Sequence, residues 1–306
     1  MINTYTFDKE TWIDIDHGTP EEIHSIMDTY DIHPFVAKEL TSTTLKPRIE
    51  FHDGYIYCIL HFPTYKHTHS PNNKNQEVDF IIGKNMLITA RYDTIDAIHA
   101  FAKTLEVKEI LDNDHHSKKH HSLLIGMLRG LYRSVFEELE YMEDVTEDIT
   151  SRIFKGEEKQ MVVSISEITR TLLEFKKVTD LHREVLESLH HHGRELFGET
   201  FETDMELIIL EYLKINTTIK SNLEILRELR ETNNSILTAK QNEIIKNLTV
   251  MGFVILPLNL IAWIFAMRTE GGMPFTTNPY GFWIVILIMI IASTATMAFA
   301  KYKKWL

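Results

Sequence analysis

The side chains best suited to hold a metal cation are concentrated in a few places. Of sixteen histidines, seven cluster at 112–121 (DNDHHSKKHH) and at His190, His191 and His192, and the rest, such as His61, His67 and His69, are scattered. Neutral imidazole is a good ligand for Zn²⁺ and similar ions. The cluster spacing is not that of a closed structural zinc site, however, and no cysteine accompanies it, so a solvated surface or loop is the simpler explanation. A second concentration is acidic: Glu137, Glu138, Glu140, Glu143, Asp144, Glu147 and Asp148 form a row that reads either as a cation-binding face or as a solvated helix face. A third signal is a single amide, Asn259, set inside a long uncharged apolar stretch. Polar groups at that depth normally face a bundle interior or a water-filled path. No Gly-rich phosphate loop, nucleophile elbow or paired zinc-ligand helix is present, so no enzymatic activity and no ATP-driven step are expected.

The element that holds Asn259 is one of two apolar segments near the end of the chain. They cover residues 247–267 (NLTVMGFVILPLNLIAWIFAM) and 279–300 (PYGFWIVILIMIIASTATMAFA). Each is about the 20 residues that an α-helix needs to cross a ~30 Å hydrocarbon layer. Charges stop at Lys246 and resume at Arg268, as expected where a mid-bilayer Lys or Arg costs roughly 2.5–3.5 kcal/mol. Core helices of a soluble enzyme rarely run that far uncharged. Lys240 and Lys246 precede the first segment and Lys301, Lys303 and Lys304 follow the second, while the connecting loop holds only Arg268 and Glu270. The positive-inside rule then places both termini in the cytoplasm.

Roughly 245 residues precede this hairpin, room for one large domain or two coupled ones. The formal net charge of −12 disfavours nucleic acid and anionic lipid as partners and favours counter-cations. The start, MINTYTFDKE, has neither a basic n-region nor an apolar run, so no cleavable signal peptide is expected. Cys58 is the only cysteine, which excludes an intrachain disulfide and fits a reducing compartment.

Residues 1 to about 115 read as an α/β domain. Strand-like runs at 11–15 (TWIDI), 55–62 (YIYCILHF), 78–82 and 86–90 are separated by turns and helical patterns. Thr19-Pro20-Glu21-Glu22 is a helix start with Thr19 as N-cap. Asp31-Ile32-His33-Pro34 is a break before a short helix at 35–40, and 66–76 (KHTHSPNNKNQ) is a hairpin loop by composition. From 116 to 246 the pattern is helical. Gly and Pro are absent from 158–192 and from 200–251, which predicts two very long helices flanking a turn near Gly193 and Gly198. In the second, Ile208, Tyr212, Ile215, Ile219, Leu223, Leu226 and Leu229 recur every three or four residues as a coiled-coil seam. Continued through the first apolar segment, residues 201–267 make one rod on the order of 100 Å long. Such a rod requires partner helices, from its own chain or from neighbouring subunits.

These features together resemble the CorA superfamily of divalent-cation channels. The N-terminal Trp12 to Asp16 (WIDID), His33-Pro34, the strand pair around Lys46-Pro47-Arg48 and Tyr55-Ile56, and Leu87-Ile88-Thr89 look like that family's cytoplasmic domain. Asn242-Glu243, Leu248-Thr249, Pro257-Leu258, Ile261-Ala262 and Lys303-Lys304-Trp305-Leu306 look like its membrane end. The resemblance implies a funnel-shaped homopentamer in the inner membrane: cytoplasmic α/β domain (1–115), long-helix bundle and stalk (116–246), pore helix (247–267), external loop (268–278), second transmembrane helix (279–300) and basic tail (301–306). It implies no cofactor, Mg²⁺ as the default transported and regulatory ion, and Zn²⁺, Co²⁺ or Ni²⁺ behind it, a zinc-transporting branch being known. A non-conducting scaffold or sensor is the alternative.

Under that resemblance the first segment lines the pore. Counting inward from Ala266 on a 3.6-residue period gives Trp263, Asn259, Leu256, Gly252, Leu248, Ile245 and Asn242. Asn259 and Asn242 would form polar rings, and Leu256, Leu248 and Ile245 apolar constrictions that gate by dewetting. Packing of this stripe on the second segment is the other reading. The family's Gly-Met-Asn signature is replaced by Ala266-Met267-Arg268, a family glycine three residues upstream is Trp263, and the loop Gly271-Gly272-Met273-Pro274 lacks the usual acidic residue after Met-Pro. Guanidinium offers donors and no acceptor for a hydration shell. A ring of Arg268 side chains would raise a barrier to cations, unless each snorkels to headgroups or pairs with Glu270.

Overall fold

The computed structural model describes residues 1–7, 10–64, 75–111, 122–267 and 279–303. The histidine run at 112–121, His67 and His69, Arg268, Glu270, Gly271, Gly272, Met273 and Pro274, and the terminal Lys304-Trp305-Leu306 lie outside the described residues. The chain divides into two compact units, Met1–Arg230 and Glu231–Leu306.

The first unit is built on a six-stranded sheet in the order β1-β2-β6-β5-β4-β3. Its strands are β1 (Ile2–Phe7), β2 (Glu10–Asp16), β3 (Arg48–His52), β4 (Tyr55–Pro63), β5 (Asn75–Gly83) and β6 (Met86–Arg91). Only the β2–β6 pair is parallel. All of β4 is buried, as expected of an apolar strand in a sheet covered on both faces. On one face Ile13, Ile15, Tyr57, Ile59, Ile81 and Ile88 pack under α1 (Pro20–Tyr30) and α2 (Pro34–Glu39). The helix start at Thr19 is a full capping box, with reciprocal bonds between Thr19 and Glu22. Asn75 and Gln76, expected in the hairpin loop, belong to β5, and the Gln76 amide donates to the Thr94 carbonyl at 3.0 Å. β1 had no apolar signal because it is an edge strand held by its antiparallel register with β2.

The opposite face meets the helices α3 (Asp96–Leu111), α4 (Ser122–Phe154), α5 (Glu158–Asp180) and α6 (His182–Phe197). The Trp12 ring lies 5.6 Å from that of Phe101, and Phe62 lies 5.6 Å from Tyr132. The single long helix expected over 158–192 is two, with a shallow break at Leu181, whose backbone stays helical at φ −74°, ψ −18°. The break sits beside His182, which is pinned by both ring nitrogens: Nε2 lies 2.8 Å from the His61 carbonyl and Nδ1 lies 2.9 Å from the Tyr132 hydroxyl. A carbonyl can only accept, so Nε2 carries the hydrogen and Nδ1 accepts from Tyr132. Burial lowers the pKa of His182 to about 4.

The turn to α7 (Glu199–Ala266) is at Gly198, where φ is 90° and a side chain would strain the backbone. Gly193, expected to share that turn, is inside α6. A Cβ there would stand 2.1 Å from the Phe201 ring, so this glycine permits a close approach. Along α7 as far as Arg230 the buried positions are Phe201, Met205, Ile208, Tyr212, Ile215, Asn216, Ile219, Asn222, Leu226 and Leu229; all but Asn216, whose amide donates to the Tyr212 hydroxyl, follow the alternation of four and three of a coiled-coil seam. It takes Asn222 where Leu223 was expected, and Leu223 is half-buried. The partner is the chain's own α4, which runs parallel to α7: Arg129 pairs with Glu211 at 3.0 Å, Lys214 lies over the Phe136 ring at 4.2 Å, and Asn222 bonds Glu143 at 3.1 Å.

Candidate functional site

The second unit contains the part of α7 beyond Arg230 and the helix α8 (Gly281–Tyr302). Both helices are long and apolar enough to cross a membrane, and only 6% of the apolar window of α7 and none of that of α8 is buried. A core helix of a soluble protein would be covered by its neighbours. Pro257 removes the N–H that would have bonded the Phe253 carbonyl, yet the helix continues through it.

The two helices touch along one face of each. Val250 and Ala300 are buried, and the rings of Phe253 and Phe299 stack at 6.2 Å. On α7 the half-buried positions continue from Val250 through Val254, Pro257, Leu258, Ile261 and Phe265, which is one helical face at a 3.6-residue period. Asn242, Ile245, Leu248, Leu256, Asn259, Trp263 and Ala266 are all exposed, and Gly252 is half-buried. Leu256, Asn259 and Trp263 stand two positions on from the covered Val254, Pro257 and Ile261, so they lie roughly 200° round the helix from that face. The predicted stripe therefore does not pack on α8. Met267 is also exposed.

The two outward faces differ in chemistry. That of α8 presents Phe282, Trp283, Leu287, Ile290, Ile291 and Met297, bulky and apolar, with Thr294 among them giving its hydroxyl hydrogen to the Ile290 carbonyl of its own helix. That of α7 presents the amides Asn242 and Asn259 among the apolar Ile245, Leu248, Leu256 and Trp263. Asn259 is the one amide among Phe253, Leu256, Pro257, Leu260 and Trp263 along a groove of about 510 Å³.

The histidines and acids weighed as possible cation ligands have separate partners where they are described. His190 points towards Glu206 at 3.9 Å, His192 bonds the Ser188 carbonyl at 3.0 Å and packs on Phe51, and His191 meets His192 edge-on. In the acidic row Glu138 is buried, Glu137 pairs with Arg133, Asp148 with Arg152, and Glu143 accepts from Asn222. Glu140, Asp144 and Glu147 are exposed. Among the described residues no group of three His, Cys, Asp or Glu side chains is arranged to hold a metal ion.

Sequence reasoning passed over a buried carboxyl pair in the first unit. Glu77 and Asp79 point the same way from β5 and are 4% and 0% exposed. Glu77 accepts from the Thr44 backbone and hydroxyl, and Asp79 from the Tyr57 and Tyr92 hydroxyls at 3.1 and 3.2 Å. Burial, and then the charge of Glu77, push the Asp79 carboxyl well above the usual carboxylate range, against the hydrogen bonds from the two tyrosines. Its Oδ1 has no partner among the described residues, and a proton there would let it donate to Glu77. The signal was present as two acids at an i, i+2 spacing inside an apolar strand.

The family model described as CorA-like Mg2+ transporter protein matches residues 8–301. The cobalt/magnesium transport protein CorA of Thermotoga maritima is 25% identical over 299 residues, covering 97% of this chain and 83% of that protein. The complete structure of the CorA magnesium transporter from Methanocaldococcus jannaschii superposes with a TM-score of 0.83 at 21% identity, covering 99% of this chain and 94% of the other. The full-length CmaX protein superposes with a TM-score of 0.73 at 15% identity, over 97% and 89% of the two chains. At these identities the superpositions speak for the fold alone.

Proposed function

The chain belongs to the CorA-like Mg2+ transporter family and transports divalent cations through a CorA-like channel; from that premise we propose which surface of the molecule the ions follow. The path runs along the outward stripe of α7, from Asn242 through Ile245, Leu248, Gly252, Leu256, Asn259 and Trp263 to Ala266, with copies of the chain arranged round a common axis as a homopentamer. One observation carries this reading: of the two outward faces, that of α7 holds the amides and that of α8 is apolar throughout its bulky positions. An amide deep in a membrane favours a wet path, and an apolar face favours lipid.

The chemistry suits an ion that keeps its water. Mg²⁺ dehydrates reluctantly, and an Asn carbonyl oxygen accepts hydrogen bonds from the ion's hydration shell without replacing it. Leu256, Leu248 and Ile245 then act as apolar constrictions that close by dewetting. Mg²⁺ is the proposed cargo, followed by Co²⁺, which the T. maritima relative's name includes, then Zn²⁺ and Ni²⁺. The ion moves down its electrochemical gradient, with both termini in the cytoplasm and residues 268–278 as the external loop. Uptake into liposomes containing the full chain tests this: Mg²⁺ should enter under an inward gradient, and no entry of Mg²⁺, Co²⁺, Zn²⁺ or Ni²⁺ would leave a non-conducting scaffold as the better account.

A further inference from the structure

Trp263 is the one bulky aromatic on the outward stripe of α7, and it is 70% exposed within the chain. It lies opposite the face that α8 covers, on the same side as Leu256 and Asn259 and beside them in the groove they line. From Asn259 it is four residues, or about 6 Å, nearer the outer end of the helix. We propose that Trp263 forms an apolar outer gate of the permeation path, one turn outside the Asn259 ring, and that it limits how fast a hydrated divalent cation enters. The inference rests on the preceding reading of α7 as the pore wall.

Two properties of indole set the outcome. Its ring nitrogen donates and nothing on the side chain accepts, so Trp263 cannot take hydrogen bonds from the water that Mg²⁺ carries. Asn259 can. Indole is also the largest side chain, and a ring of them about one axis narrows the path with apolar surface, the condition under which a constriction sheds water. Attraction of a cation to an aromatic face operates within about 6 Å of the ring and is strongest for a desolvated ion. A strongly hydrated Mg²⁺ gains little of it. The other common place for a membrane tryptophan is the lipid interface. On α8 that place is taken by Phe282 and Trp283, with Tyr280 just before the helix, all exposed, whereas Trp263 shares its face with an amide.

The test is initial Mg²⁺ uptake by the full chain in liposomes, with Trp263→Gly and Trp263→Ala, Trp263→Phe, and Asn259→Leu alone and combined with Trp263→Ala. The alanine variant guards against the helix penalty of glycine. Either small residue should raise uptake about tenfold or more, phenylalanine should leave it within about twofold of the parent, and adding Asn259→Leu should remove the gain. Unchanged or reduced uptake in both small-residue variants, with Asn259→Leu still lowering uptake of the parent, would overturn the gate and leave the pore reading standing. If Asn259→Leu alters neither the parent nor the Trp263→Ala protein, the pore reading fails, and the gate with it.

Discussion

The amide of Asn222 donates a hydrogen bond to the Glu143 carboxylate at 3.1 Å, joining α7 to α4 midway along a seam that is otherwise mainly apolar. A polar residue at such a position fixes the register of two helices at some cost in stability. A hydrogen bond to a charged group contributes about 1.5–3 kcal/mol. Asn222→Ala should therefore lower unfolding stability of the first unit by about 1–2 kcal/mol, read as a shift of the denaturation midpoint in detergent. No shift would mean that the apolar seam alone sets the register.

His182 makes that unit sensitive to acid. Its pKa is lowered from 6.5 to about 4, so the unfolded chain takes up a proton more readily than the native one. The stability it contributes is complete above pH 6.5 and is lost as the pH falls towards 4. The thermal midpoint should fall over that window, and His182→Gln, which can keep a donor to His61 and an acceptor for Tyr132, should flatten the decline. An equally steep decline in the glutamine variant would place the acid sensitivity elsewhere.

Asp79 has the opposite sign. Its raised pKa means that the native state holds a proton the unfolded chain gives up, so it weighs against stability as the pH rises above the usual carboxylate range. Asp79→Asn should raise the midpoint at pH 8, because the amide carbonyl still accepts from Tyr57 and Tyr92 and its N–H can donate to Glu77. Asp79→Leu should lower it by leaving two buried hydroxyls unpaired. A lower midpoint for the asparagine variant would show that the carboxylate is ionised.

How much of this was legible in the sequence follows from where each signal is encoded. Charge-free length announces a spanning helix, and a Thr-Pro-Glu-Glu box announces a helix start, because both are local. The helical period alone placed Leu256, Asn259 and Trp263 on one face. It could not say whether α8 covers that face, which depends on contacts between helices. The same limit explains Asn222 standing where Leu223 was expected: hydrophobicity favours the leucine, and the four-three alternation favours the asparagine. β1 and the break at Leu181 are set by tertiary partners, a neighbouring strand in one case and the two hydrogen bonds of His182 in the other.

Selectivity can be probed at Arg268. Its guanidinium lacks an acceptor for the hydration shell, and under the proposed pore reading a ring of positive charge would oppose cation entry. Arg268→Asn should increase Mg²⁺ uptake several-fold and make it less sensitive to ionic strength. An unchanged rate would mean that the side chain points away from the path, to lipid headgroups or to Glu270.

The pore wall itself is tested most directly by cysteine reactivity. Cys58 is buried, with its thiol pushed up by that burial, so the native chain provides a quiet background. Single cysteines at 256 and 259, on the outward stripe, and at 254 and 261, on the face towards α8, should be treated with a small cationic thiol reagent during Mg²⁺ uptake. Modification at 256 and 259 should block uptake and modification at 254 and 261 should not. Block from 254 and 261 with none from 256 and 259 would contradict the assignment of this face of α7 to the ion.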